Sequence, residues 1–479
     1  MKTFISLLFI LTITFNTASA QIYDAVIDNI QGILDSKLNP YGIEGAGLTV
    51  IFPNDTVVTF TSGYANGVND AISTDKYWHW ASGTKPLTGF VILQMIEEGL
   101  INIDDSIGDY LNTQEIPNVD STITIKQLLQ HTSGLKEVWT PNEGVLWNAV
   151  WSDRSKVWDP KDILSYMPEP YQSKGFHNYS SSNSYILSFI IEEVSGKSLE
   201  TVFEERIFTP LEMESSYLSS GKNIDMTSLN GVWSGSENRS TWPHTSYLSS
   251  RSGNSAHIST SADAAIFYRN YYTDSLLTKE TMDALKVPAN GSSEVIAQNV
   301  ACFSKITQTH GYETTMFTLI TTNGETASLF GHGGNGVHNS FSFHWAEKNI
   351  TLVLAINDFS AINTFGALVF EVLCGLDAVV AVSNETESLE IADKFKLDQN
   401  YPNPFNPSTN ISFVLPSASV VQLKVYNLLG QEVASLVDGR LNSGNHSVNF
   451  DASKLSSGVY IYRLSSGGIS YSRKMILVK

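Results

Sequence analysis

Cysteine is nearly absent from this chain: two residues, Cys302 and Cys374, in 479 positions. That excludes a disulfide scaffold and a paired-cysteine metal motif, and neither thiol sits in a context of an activated nucleophile. Whether the two pair is left open by the sequence. Basic residues are also few, 29 against 48 acidic ones, for a formal net charge of -19. Such a surface disfavours nucleic acid or an anionic membrane as partner and suits a soluble exported protein. His-Glu-x-x-His and Gly-x-Ser-x-Gly are both missing, which removes the usual sequence marks of a zinc hydrolase helix and of an α/β-hydrolase nucleophile turn. Beyond residue 20 no segment is long and apolar enough to predict a stable membrane span, which takes about 20 apolar residues.

The N-terminus carries one basic residue, Lys2, then an apolar stretch from Phe4 to Phe15 broken by Ser6, Thr12 and Thr14, and ends in Ala18-Ser19-Ala20. This pattern predicts a secretory signal peptide over residues 1–20.

Ser82-Gly83-Thr84-Lys85 is the most informative stretch. Residues three apart share a helix face, so Ser82 and Lys85 stand one turn apart. A serine hydroxyl is a weak nucleophile until a base takes its proton, and lysine serves only where its site holds it neutral. A free lysine titrates near ~10.4, so a working value near ~7 requires roughly 4 kcal/mol of environmental bias. Ser and Lys recur at this spacing at Ser73/Lys76, Ser133/Lys136 and Ser219/Lys222, but only Ser82 heads a long apolar segment. Leu87, Phe90, Val91, Met95 and Ile96 follow at near-helical spacing, and Pro86 fits only the first turn. Ser82 is therefore expected at a helix N-terminus, where its backbone N–H can face a developing oxyanion.

A helix is predicted over Ile22–Leu38, then a hairpin of Gly47–Phe52 and Val57–Thr61. Thr122 to Tyr217 reads as helices and long loops, with Trp139, Trp147, Trp151 and Trp158 concentrated in one part as core packing or as a lid over a cleft. Alternation at Ala327–Phe330, Ser340–Trp345 and Ile350–Ile356 predicts adjacent antiparallel strands, and with the early hairpin a sheet assembled from distant pieces. A polar, acidic linker is expected over 381–397, and short alternating strands beyond it predict a small β-sandwich over 398–479.

Tyr179-Ser180-Ser181 precedes an apolar helical run, and Gly331-His332-Gly333-Gly334-Asn335-Gly336 is expected to open a strand. With Ser82 and Lys85 these resemble the three signatures of the serine β-lactamase, penicillin-binding protein and D-alanyl-D-alanine carboxypeptidase superfamily, closest to its class C-like branch. Ile123 to Leu135, Ile207 to Met213 and Ile258 to Asp263 extend the resemblance, which covers roughly Ile22 to Gly375. It implies an α+β fold of β-lactamase/transpeptidase type over 21–380: an antiparallel sheet flanked by helices, plus a mostly helical subdomain, with the site between. It also implies Ser82 as acylated nucleophile, Lys85 as base or proton relay, and Tyr179 as the shuttle of a proton to the leaving group, the nearby cation favouring its phenolate. His332 contributes charge or a hydrogen bond, the backbone N–H groups of Ser82 and Asn335 form the oxyanion hole, and Ser181, Gly333 and Gly334 contact substrate.

The sequence departs from the family twice. His332-Gly333-Gly334 stands where β-lactamases usually have Lys-Thr-Gly. Ser181 takes the place of a usual asparagine, so an orienting amide is lost or Asn183 replaces it. No metal or organic cofactor is implied. His332, His338 and His344 recur every six residues, but along an extended strand they would span about 20 Å per interval, too far to share a metal.

Asn400 to Pro407, Val425 to Val433, Ser457 to Tyr460 and Lys474-Met475 resemble the type IX secretion sorting domain. That resemblance implies the type IX machinery as partner and a secreted or cell-surface location. The expected function is a secreted serine hydrolase acting through an acyl-serine on a small-molecule or peptide substrate: a D-Ala-D-Ala-type peptide, an ester or a β-lactam. The competing expectation is a non-catalytic penicillin-binding-like surface protein.

Overall fold

The computed structural model describes residues 17–479 apart from 54, 140–143, 171–173, 274–275, 384–395, 416–418, 428–429, 442–443 and 467–468. Residues 1–16 of the expected signal peptide and most of the expected linker lie outside these. Among the described residues no helix is long and apolar enough to cross a membrane.

The chain enters on helix α1 (Thr17–Lys37) and forms the hairpin β1 (Gly45–Ile51) and β2 (Val57–Gly63). The helices that matter for the site are α2 (Lys85–Glu97), α3 (Ser181–Ser195) and α4 (Ser261–Tyr272). Six strands follow: β3 (Glu294–Val300), β4 (Phe303–His310), β5 (Thr315–Thr321), β6 (Thr326–Asn335), β7 (Asn339–Trp345) and β8 (Ile350–Ile356). Helix α5 (Ile362–Ser383) closes this part. In space the order is β2-β1-β8-β7-β6-β5-β4-β3, antiparallel throughout, with β2 also meeting the C-terminal strand Ile469–Leu477 at Thr59 opposite Ser470, and β1 pairs with β8, Leu48 opposite Leu354. The sheet is thus built from distant pieces, as the pattern predicts.

Side-chain alternation along β8 explains its layered setting. Leu352, Leu354 and Ile356 join the core beneath α1 and α5, while Val353 and Ala355 join the core shared with the helical subdomain. A strand covered on both faces reads as a continuous apolar run rather than a strict alternation, and Ile350–Ile356 is buried throughout. Each such aliphatic side chain contributes about 1.5–3 kcal/mol by leaving water. Cys302 and Cys374 form a disulfide, which ties the turn between β3 and β4 to α5. Beyond the linker, strands Ser408–Leu415, Ser419–Asn427, Glu432–Leu441, Gly444–Asp451, Gly458–Ser466 and Ile469–Leu477 enclose a separate core that includes Phe413, Leu423, Tyr462 and Met475.

Candidate active site

The segment before α2 is pinned on several sides. Trp80 donates its indole N–H to Ser259 (2.7 Å), Tyr268 donates to the carbonyl of Gly83 (2.8 Å), and Thr84 donates to that of Ala81 (2.8 Å). Ala81 is held at φ +48°, a left-handed conformation that a side chain rarely adopts. Strain at the residue before Ser82 is offset by this packing. A short 3-10 turn, Ala81–Thr84, then runs into α2, with Pro86 in the first turn. Helix α2 is buried on nearly every face, so its apolar residues surround the axis rather than forming one stripe.

Lys85 opens that helix with no exposed surface. Its Nζ lies 3.1 Å from Ser82 Oγ, 2.9 Å from the carbonyl oxygen of Asn254 and 3.4 Å from Ser181 Oγ. Burial is the largest influence on the ammonium and lowers its pKa to about 8, against the opposing fields of Glu313 and Glu137. Among the described residues no carboxylate touches it, so no ion pair offsets the effect of burial.

Tyr179 leads into α3. Its hydroxyl hydrogen-bonds Ser82, and Lys85 Nζ lies 5.1 Å from its ring centroid. Burial drives the phenol pKa well above its ordinary value. The expectation of a cation-favoured phenolate is therefore corrected: the ammonium sits over the ring, desolvation dominates, and the phenol keeps its proton. His131 stacks on Tyr179 at 4.8 Å and His332 lies 5.8 Å from it, centroid to centroid. His131 Nδ1 accepts from the Ser180 N–H (3.2 Å) and from Asn183 Nδ2 (3.1 Å), leaving its Nε2–H to donate to the fully buried Glu313 (3.1 Å).

Asn183 thus serves His131, and also accepts from Ser133 (2.5 Å). It does not supply the amide that Ser181 lacks. Ser181 itself is buried, its backbone N–H donating to Glu137 (2.8 Å), and its hydroxyl meets Lys85.

The glycine-rich motif closes β6 rather than opening a strand, because pairing with β7 runs through Asn335 opposite Asn339. Pairing with β5 on the other edge stops at Thr315 opposite Gly331. Among the described residues no strand pairs with this edge of 332–335, which lies beside Ser82. Gly334 permits the approach: a Cβ there would sit 2.1 Å from the Trp80 carbonyl oxygen. His332 is buried and its pKa lies well below the ordinary value, through burial first and the Lys85 charge second. Its Nδ1 donates to the Gly333 carbonyl (2.5 Å), so of the two expected contributions it offers hydrogen bonding and not charge. Ser82, Tyr179, His332, Gly333, Gly334 and Asn335 line one cleft of about 610 Å³.

The other two evenly spaced histidines have separate duties. His338 accepts from the His79 N–H (2.9 Å) and donates to the Gly231 carbonyl (2.7 Å), while His344 meets Thr351 (2.9 Å). Four contributors escape a reading of the sequence: Glu137, Glu313, the Asn254 carbonyl and the orientation of His131. Only His131 carries a signal, within Gln130-His131-Thr132-Ser133-Gly134-Leu135, where His131 takes φ +54°.

Residues 27–367 match the family model described as Beta-lactamase, and residues 399–479 that of the secretion system C-terminal sorting domain. Penicillin-binding protein 4 of Amycolatopsis lactamdurans is 24% identical over 190 residues, 38% of this chain and 46% of its own length. An Escherichia coli protein provisionally named a D-alanyl-D-alanine carboxypeptidase is 30% identical over 146 residues, 29% of this chain and 33% of its own. The chain thus matches less than half the length of these relatives. The D-amino acid amidase of Ochrobactrum anthropi superposes with a TM-score of 0.58 at 20% identity, covering 74% of this chain and 99% of that one. A penicillin binding protein from Bacillus halodurans gives 0.56 at 18%, covering 73% and 99%. At such identities the likeness is one of fold. The family match is broader, and with it the paired Ser82 and Lys85 have a context: the chain belongs to the Beta-lactamase family, of serine hydrolase type, and ends in a sorting domain for export.

Proposed function

We propose that this protein is an exported hydrolase that acylates Ser82 and cleaves an amide or ester bond, with D-amino-acid peptides or amides the foremost substrate class. The observation that carries the reading is a wholly buried Lys85 with Nζ 3.1 Å from Ser82 Oγ. Neutral Lys85 takes the Ser82 proton as Oγ forms a bond to the substrate carbonyl carbon. The oxyanion so formed lies between the backbone N–H groups of Ser82 and Asn335, an arrangement in which one donor is commonly worth about 2.7–4 kcal/mol. Tyr179, a phenol hydrogen-bonded to Ser82, gives its proton to the departing amine or alkoxide and recovers one from Lys85. Water then attacks the acyl-serine and releases the acid.

His332 orients Tyr179 as a neutral imidazole. Ser181 steadies Lys85, and the free edge at 332–335 accepts a substrate backbone as an added strand, with Gly333 leaving room for it. The preference for D-amino-acid substrates rests on the relatives: a D-alanyl-D-alanine carboxypeptidase by name, a D-amino acid amidase, and a D-stereospecific amidohydrolase from Streptomyces. The proposed organisation is a signal peptide over 1–20, the hydrolase over 21–380 and the sorting domain over 398–479.

One observation favours a second reading, a penicillin-recognising surface protein without turnover: Ser181 replaces the amide that would hold a substrate. A single experiment separates the two. Fluorophosphonate should label the wild type and leave Ser82→Ala unlabelled, and a D-Ala-D-Ala peptide, a nitrophenyl ester or a chromogenic cephalosporin should be hydrolysed. Equal labelling of both proteins removes Ser82 from the mechanism. Labelling with no hydrolysis of any of the three favours the binder.

A further inference from the structure

We propose that a second pocket, bordering the cleft, is a substrate subsite for a flat apolar group that carries a carboxylate; its role in substrate choice rests on the hydrolase reading above. The pocket encloses about 300 Å³ between Trp147, Trp151, Trp242 and Tyr247, with Arg154 and Arg239 at its wall. A cavity of about 150 Å³ accommodates benzene, so this volume suits a ring with a substituent.

Its location ties it to the reacting serine. Asn335 lines the cleft that holds Ser82, and the next residue, Gly336, lines this pocket. A Cβ on Gly336 would lie 2.9 Å from that of Ala81, the residue before Ser82. The two spaces therefore meet at one peptide of β6's exit.

Its chemistry selects an anion. The Arg239 guanidinium is held by Glu237 at 2.7 Å. Arg154 instead stacks on Trp242, 4.2 Å from the ring centroid, and lies 5.7 Å from that of Trp151, with no carboxylate partner among the described residues. An unneutralised guanidinium stands out on a chain of net charge -19. A second observation is independent of it: Trp151 lines the same pocket and its buried Nε1–H has no hydrogen-bond partner, while His244, whose Nε2–H donates to the Arg239 carbonyl (3.2 Å), has only an acceptor at Nδ1. Buried polar atoms are nearly always paired, so an orphan donor in an aromatic pocket points to an acceptor atom on a ligand. A carboxylate accepts from both the Arg154 guanidinium and the Trp151 N–H while its ring lies among the aromatic walls.

The test uses the full chain with Ser82→Ala, so that binding is read without turnover and a failure of hydrolysis leaves the result intact. Tryptophan fluorescence is titrated with 4-ethylbenzoate and with its neutral isostere 4-ethylbenzamide. The benzoate should quench saturably and bind on the order of tenfold or more tightly than the amide, as a charge-assisted hydrogen bond implies. Arg154→Gln should erase that preference and Arg154→Lys should keep part of it. Arg154 is half-exposed, so neither change disturbs a core. Absence of saturable quenching, equal binding of the two ligands, or a preference that survives Arg154→Gln would each overturn the assignment.

Discussion

If Lys85 is the base, the rate of Ser82 acylation should follow the titration of one buried amine. With its pKa at about 8 instead of 10.5, burial biases Lys85 toward the neutral form by roughly 3 kcal/mol. At pH 7 about one molecule in ten then has a neutral Lys85, against roughly three in ten thousand for an ordinary lysine, a gain of about 300-fold in competent enzyme. Acylation, followed as the second-order rate of fluorophosphonate labelling from pH 5 to 9.5, should rise tenfold per pH step below 8 and level above it. Glu313 and Glu137 both stabilise the ammonium, so Glu313→Gln should slide the rising limb toward lower pH. The same depression has a sign in stability. Between pH 8 and 10.5 the unfolded chain binds the proton that folded Lys85 has lost, so the stability cost of burying the ammonium is relieved as pH rises through that window. A profile flat from pH 5 to 9.5, or a limb still rising at 9.5 as a free lysine would give, refutes the argument. So would a limb that moves upward in Glu313→Gln.

Gly334→Ala should cost about 1–3 kcal/mol in urea denaturation and lower kcat/KM, because the added carbon meets the Trp80 carbonyl at 2.1 Å. Gly333→Ala, whose nearest contact would be 3.5 Å, should leave the urea midpoint nearly unchanged, and an equal loss of stability in the two variants would contradict the close approach. Tyr179→Phe should lower kcat by about 10²–10⁴ while Ser82 still labels, since it removes a proton donor and spares the nucleophile. Reducing the Cys302–Cys374 disulfide, which closes a loop of 72 residues, should lower unfolding free energy by about 4 kcal/mol. An unchanged urea midpoint after reduction would refute that pairing.

Much of this protein is legible in its sequence. The order of motifs, the early hairpin, the three late strands and the split between hydrolase and sorting sandwich are local or periodic properties: turn chemistry, spacing of three, alternation of two. Ser82 and Lys85 meet because one helical turn joins them, and no long-range contact is needed for that. The glycine-rich motif marks a strand but ends it rather than opening it, since where β5 stops pairing with β6 depends on the lengths of the strands and not on the motif.

Packing alone decided the rest. The state of Lys85 depends on Asn254, Glu137 and Glu313, which arrive from 169, 52 and 228 positions away in sequence. The protonated state of Tyr179 follows from desolvation, which outweighs the nearby cation that the sequence suggested would dominate. Asn183 turned to His131 because α3 aims it there, and the disulfide formed because α5 brought Cys374 back to Cys302. Spacing along a chain determines which neighbours share a face; how far an amine is removed from water is set by everything that closes over it.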